Sequence, residues 1–192
     1  MKPAAIKQQL RVDFDDARYE HILGVASTCR QLATRHRVDP DRAEIAGLLH
    51  DIGRRYTVDQ LISMAEDADM AITEIALAKP GPILHGPIGA LVAEQEFGVT
   101  DADILTAIRL HTFGAEEMSA LSKVVYLADK IEPGRQYSGV EELRRLAFDD
   151  LDRAMLMAYD QTLHYLIDHQ ELVFEQTIKA RNKMLQKLRR AE

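Results

Sequence analysis

Apolar residues recur at three- and four-residue steps through almost the whole of this chain, and strict alternation is absent over any useful length. A period near 3.6 suits helices packed by one face and leaves little from which a sheet could be built. An all-α fold follows. Tyr19, Ile22, Leu23, Ala26, Cys29, Leu32 and Ala33 form the stripe of a first helix over about Asp15 to His36. Asp39-Pro40 reads as N-cap and first position of a second, which carries Ala43 to Leu49 and stops near Gly53. Thr57 with Gln60 is a capping-box pair for a third. Lys79-Pro80-Gly81-Pro82 reads as a break, with a helix expected from about Pro87 to Phe97-Gly98. Thr100 is expected to cap the next helix, which closes between His111 and Gly114. Another is expected from about Ser119 to Glu132, stopped by Pro133-Gly134, and Ser138 with Glu141 suggests a second capping box. Two longer helices, about 151–169 and 175–190, end the chain. Met155, Leu156, Met157, Tyr159, Leu163, Leu166 and Ile167 are expected in the core, and His36, His164 and His169 at the surface.

The 192 residues contain no linker, repeat or low-complexity tract. They are read as one helical bundle over 1–192, with a core at about 18–135 and the helices of about 151–190 packed on it. The single cysteine, Cys29, excludes an internal disulfide and suits the cytoplasm. No apolar run approaches the roughly 20 residues of a membrane span, and the first residues lack the apolar region of a signal peptide. A net charge of -7 argues against sequence-independent binding to nucleic acid. It also means that a polyanionic substrate would need metal ions and a few aimed cations.

One feature of the apolar pattern calls for chemistry. His50-Asp51 closes the apolar run Ala43 to Leu49, just before Gly53. Burying an unpaired carboxylate costs several kcal/mol, of order 2–7 even for a neutral polar group. A metal ion removes that cost by taking both side chains as ligands. His21 lies beside the stripe of the first helix, His85 precedes Gly86-Pro87 at an expected helix start, His111 closes a helix, and Asp129 follows the apolar run Val124 to Ala128. Each alone has an ordinary reading: a core or surface histidine, a loop residue, an ion pair of Asp129 with Lys130 or of Asp51 with Arg54 or Arg55. The ordered set His, His-Asp, His, His, Asp is far less easily accidental.

That order resembles the HD superfamily of metal-dependent phosphohydrolases, and more fully its symmetrical bis(5'-nucleosyl)-tetraphosphatase (diadenosine tetraphosphate hydrolase) branch. The segments that carry the resemblance are Arg18-Tyr19-Glu20-His21, Ala46 to Asp51, Leu84 to Ala90, Ala107 to Gly114, Tyr126 to Arg135 and Thr177 to Asn182. It implies an HD-domain fold, and it implies that His21, His50, Asp51 and Asp129 are metal ligands, with iron the expected ion and manganese or a similar divalent metal the alternative. His85 and His111 would complete a second metal position or touch the substrate phosphates. His21, Thr112, Arg135, Thr177, Arg181 and Asn182 are further implied substrate contacts. Two positions depart from the family pattern: Arg54 stands where a Lys is common, and Phe174-Glu175-Gln176 where His-Pro often precedes the Thr-Ile-x-Ala-Arg-Asn stretch.

The resulting expectation is metal-dependent cleavage of diadenosine tetraphosphate to two ADP. Asp51 would bridge two metals or orient water, His85 and His111 would stabilise charge or donate a proton, and Arg54 and Arg135 would grip phosphate through their planar forks. Two other functions fit the same residues: hydrolysis of a nucleoside monophosphate or guanosine polyphosphate, and a nucleotide-sensing HD module without turnover. A homodimer is compatible with the size of the chain.

Overall fold

A computed structural model describes residues 2–190, and these form eleven α-helices and one 3₁₀ turn, with no strand among them. The helices are α1 (Pro3–Asp13), α2 (Asp16–Arg35), α3 (Pro40–Leu49), α4 (Val58–Asp67), α5 (Glu74–Ala78), α6 (Pro80–Gln95), α7 (Ala102–Leu110), α8 (Ala120–Ile131), α9 (Val140–Asp149), α10 (Leu151–Asp168) and α11 (Glu175–Arg189). The 3₁₀ turn, Ile52–Arg55, follows α3 directly. The all-α reading stands.

Most helix starts obey local rules. Asp15 caps α2 by accepting from the Arg18 amide, and Asp39 caps α3 from the amides of Asp41 and Arg42 with Pro40 at its first position. Thr57 and Gln60 form the expected reciprocal capping box. Three expectations need correction. Asp101, not Thr100, caps α7, because its carboxylate reaches the amides of Asp103 and Ile104. Ser138 and Glu141 make no capping box: Gly139, at φ 86°, is the N-cap residue of α9, and Glu141 pairs with Arg144 instead. Pro87 does not start a helix. It lies inside α6, which begins at Pro80. Pro80 and Pro82 sit in the first turn, where amides have no helical acceptor, so the proline-rich run starts the helix rather than separating two. His85 is therefore a mid-helix residue.

The core gathers where α2, α3, α6, α7 and α8 meet. α2 packs along α3 and α8, α6 packs on α7 and the 3₁₀ turn, and α7 packs on α8. α10 lies on α8 and α9, and α11 lies on α10. Ile22, Val25, Cys29, Leu32, Leu48, Leu49, Ile52, Ile88, Ile108 and Val125 are fully buried in one cluster. Met155 and Tyr159 join it, while Ile167, expected in the core, is 63% exposed near the end of α10. His164 and His169 are exposed, and His36 is half-buried with Nε2 2.7 Å from the Ala147 carbonyl. α1 was not expected; Ile6 and Leu10, one turn apart, bury its one apolar edge.

The sharp turn after His50-Asp51 depends on Gly53. A Cβ there would lie 2.2 Å from the His85 carbonyl oxygen, a backbone atom of α6 that cannot step aside. Gly53→Ala is therefore expected to lower stability by about 3 kcal/mol, at the upper end of overpacking costs. Urea unfolding of the variant against the wild type measures this.

Candidate metal centre

Five helices each bring one part of a single cluster. His21 comes from the second turn of α2, His50 and Asp51 from the end of α3, His85 from the middle of α6, His111 from the end of α7, and Asp129 from α8. His50, Asp51, His85 and His111 are buried, and His21 and Asp129 are nearly so. All six residues of the expected ligand set thus meet at one place.

Asp51 lies at the middle. Its Oδ2 faces His50 Nε2 at 3.6 Å and His21 Nε2 at 3.9 Å. Its Oδ1 faces His85 Nε2 at 3.3 Å and His111 Nε2 at 3.6 Å. Asp129 Oδ1 closes the first group, 3.2 Å from His21 Nε2 and 3.8 Å from His50 Nε2. Two sets of donors, His21–His50–Asp51 and Asp51–His85–His111, each have their ligand atoms within 4.8 Å of one another.

The rings are oriented from behind. Nδ1 of His50 donates to the Gly47 carbonyl at 2.7 Å, Nδ1 of His111 to the Ile108 carbonyl at 2.7 Å, and Nδ1 of His85 to the Gly81 carbonyl at 2.9 Å. A carbonyl only accepts, so each ring carries its proton on Nδ1 and turns the Nε2 lone pair inward. His21 does the same with a carboxylate: its Nδ1 lies 3.2 Å from Glu132 Oε1. Glu132 is 5% exposed, and its other oxygen accepts from the Gly134 amide at 2.6 Å. Gly24 leaves room for it, since a Cβ at that position would sit 2.8 Å from Glu132 Oε2.

This arrangement fits a bound cation. Nε2 of His21 and of His50 are buried without a hydrogen-bond partner. The Nε2 atoms of His85 and His111 stand 3.0 Å apart with both lone pairs facing each other, and Thr112 Oγ1, 3.2 Å from each, can donate to only one. An ion held at about 2.1 Å by imidazole nitrogen relieves both conditions. The protonation states agree. Burial pushes the His50 imidazole down to about 4 against the pull of Asp51, and burial lowers His85 as well. Burial alone would raise Asp51, but His50, His111, His85 and Arg54 hold it well below the usual carboxylate range. Neutral imidazoles and ionised carboxylates are the forms that bind metal. His21 is the exception: burial would lower it, yet Asp129 and Glu132 together raise it.

Three guanidiniums surround the centre. Arg54 Nε donates to Asp51 Oδ1, Arg18 Nη1 to Asp51 Oδ2 and Arg135 Nη2 to Asp129 Oδ1, each at 2.7 Å. A cavity of about 620 Å³ opens beside them, lined by Arg18, His21, Gly24, Glu132 and Arg135. The α11 residues stand apart. Thr177 is buried, Arg181 Nε bonds Asp160 Oδ1 at 2.8 Å, and Asn182 is exposed. Among the described residues, no hydrogen bond or ion pair links these three to the histidines.

Residues 18–134 match the family model of the HD domain. The chain belongs to the HD-domain family. It is 38% identical over 93% of both chains to a symmetrical bis(5'-nucleosyl)-tetraphosphatase of Bacillus subtilis. It is 33% identical to the like-named protein of Halalkalibacterium halodurans, over 93% of this chain and 94% of that one. A crystal structure from Clostridium acetobutylicum, described as a predicted HD superfamily hydrolase involved in NAD metabolism, superposes with a TM-score of 0.93 at 35% identity, over 97% of this chain and 98% of that one.

Sequence reasoning missed Glu132 and Arg18, although both lie in segments that carry the family resemblance. Glu132 is the carboxylate behind His21, and a carboxylate behind a metal-binding histidine orients the ring and raises its basicity. Glu132→Gln is expected to weaken metal binding about 10- to 100-fold while leaving the fold intact. Isothermal titration with Mn²⁺, beside the circular dichroism spectrum of the variant, checks both halves.

Proposed function

We propose that the protein is a metal-dependent symmetrical bis(5'-nucleosyl)-tetraphosphatase that cleaves diadenosine tetraphosphate to two ADP. The observation that carries this reading is the complete two-sided ligand set around Asp51, in a chain similar over 93% of its length to enzymes of that name. His21, His50, Asp51 and Asp129 hold one divalent ion. Asp51, His85 and His111 hold a second, because the back-bonded Nδ1 of each ring leaves only Nε2 lone pairs to face inward. The mixed imidazole and carboxylate donors suit iron or manganese. When bound, such ions supply a nucleophilic water at neutral pH and neutralise phosphoryl charge.

The remaining tasks fall to the side chains. Arg54 and Arg135 stand at the rim, 36% and 40% exposed, and their planar forks suit phosphate oxygens. Thr112, within hydrogen-bond distance of both His85 and His111, fixes the rim of the second position. The family resemblance alone gives Arg181, Asn182 and Thr177 a part at the nucleoside. Water oxygen bonds to one of the two central phosphorus atoms, the bridging oxygen to the other central phosphorus departs, and each half leaves as ADP. A cytoplasmic location is part of this reading.

Anaerobic turnover of diadenosine tetraphosphate by protein reconstituted with ferrous iron tests it, with products separated by ion exchange. ADP alone is expected, and Asp51→Ala should lower the rate at least a hundredfold, about the most that losing an outer-shell partner costs. AMP plus ATP would move the scissile bond. Turnover only of another nucleotide would replace the substrate.

A further inference from the structure

Arg18 has no place in the reaction outlined above, yet its geometry parallels that of the two arginines that do. Each carboxylate oxygen that faces the histidine Nε2 atoms carries one guanidinium: Arg54 on Asp51 Oδ1, Arg135 on Asp129 Oδ1 and Arg18 on Asp51 Oδ2. Arg18 is bound to the same oxygen that faces His21 and His50. An ion taken by that oxygen would stand close to the guanidinium, and the two cations repel. The hold of Arg18, the one of the three beside Oδ2, is weakened there by the ion.

Arg18 has somewhere to go. It rises from the first turn of α2 into the wall of the 620 Å³ cavity, with a side chain 38% exposed. Arg135, from the turn that follows α8, lines the same cavity. Among the cavity's acidic groups, Glu132 is already committed to His21 and the Gly134 amide, and Asp15 caps α2. Glu20 is exposed. The cavity therefore offers two long cations, each hydrogen-bonded to a carboxylate of the centre. That is a fit for a phosphate group extending away from a bound metal.

We propose that Arg18 is a phosphate-binding residue that changes partner. It neutralises Asp51 when Oδ2 is not ligating an ion, and it turns to the substrate phosphates in the adjoining cavity, which Arg135 also lines, when it is. The proposal rests on the nucleotide reading above. It gives Arg18 opposite effects on the two binding events, which no purely structural role would produce.

The test uses the full chain and its Arg18→Met variant, which keeps the length of the stem and removes the charge. Chelator-treated protein titrated with Mn²⁺ should bind the metal about tenfold more tightly in the variant, since one charged hydrogen bond to the ligand oxygen no longer competes. Metal-loaded protein titrated with ADP should show the reverse, an affinity about tenfold weaker in the variant. Arg18→Lys should recover part of the ADP affinity and lose the fork. Unchanged ADP binding in Arg18→Met, with the wild type binding well, overturns the proposal and leaves the nucleotide reading standing. Weaker metal binding in the variant overturns the exchange of partners, because Arg18 would then be supporting the ligand. Failure of the metal-loaded wild type to bind any nucleoside diphosphate removes the nucleotide reading, and the phosphate role with it.

Discussion

The structure turns on one buried carboxylate. Asp51 is 2% exposed, ionised, and has no hydrophobic alternative at the point where α3 runs into its 3₁₀ turn. A charge in that position has to be compensated on every side. Two guanidiniums, Arg18 from α2 and Arg54 from the 3₁₀ turn, supply part of this, and a cation held by the four inward-facing imidazole nitrogens of α2, α3, α6 and α7 would supply the rest. Four of the five converging helices, with the 3₁₀ turn, are the elements that surround this one side chain. Gly53 belongs to the same requirement, since only a residue without Cβ lets the turn press against the His85 carbonyl.

The centre makes economical use of helix ends. The last carbonyls of a helix lack amide partners. In α3 the Gly47 carbonyl, and in α7 the Ile108 carbonyl, accept instead from the imidazole of the residue just past the helix end. One hydrogen bond thus satisfies a backbone group, fixes a tautomer and aims a lone pair. His85, the sixth residue of α6, uses the Gly81 carbonyl one turn back, while His21, at the same place in α2, takes the Glu132 carboxylate instead. Different local backbones reach the same inward-facing Nε2 atom.

How far this could be read from sequence depends on how local each signal was. His50-Asp51 announced itself because a polar pair ended an apolar run, and the caps Asp39 and Thr57 because they act on amides two or three residues away. The prolines misled: Pro80, Pro82 and Pro87 looked like a boundary, whereas the first two occupy amide positions that are free in any first turn. α1 was hidden because only Ile6 and Leu10 mark its buried edge. Glu132 meets His21 across 111 residues, and Arg18 meets Asp51 across 33, so neither contact has a spacing to recognise. Arg181 was singled out through the family resemblance, and its one short contact, with Asp160, is a neighbouring-helix ion pair.

The sharing of Asp51 between two groups of histidines is the central claim. Anomalous diffraction from crystals of Mn²⁺-loaded protein tests it most directly. The account predicts two peaks, one bonded to Asp51 Oδ2 with His21, His50 and Asp129, the other to Asp51 Oδ1 with His85 and His111. A single peak held by only one of these groups, with the other Asp51 oxygen still on its arginine, would contradict it.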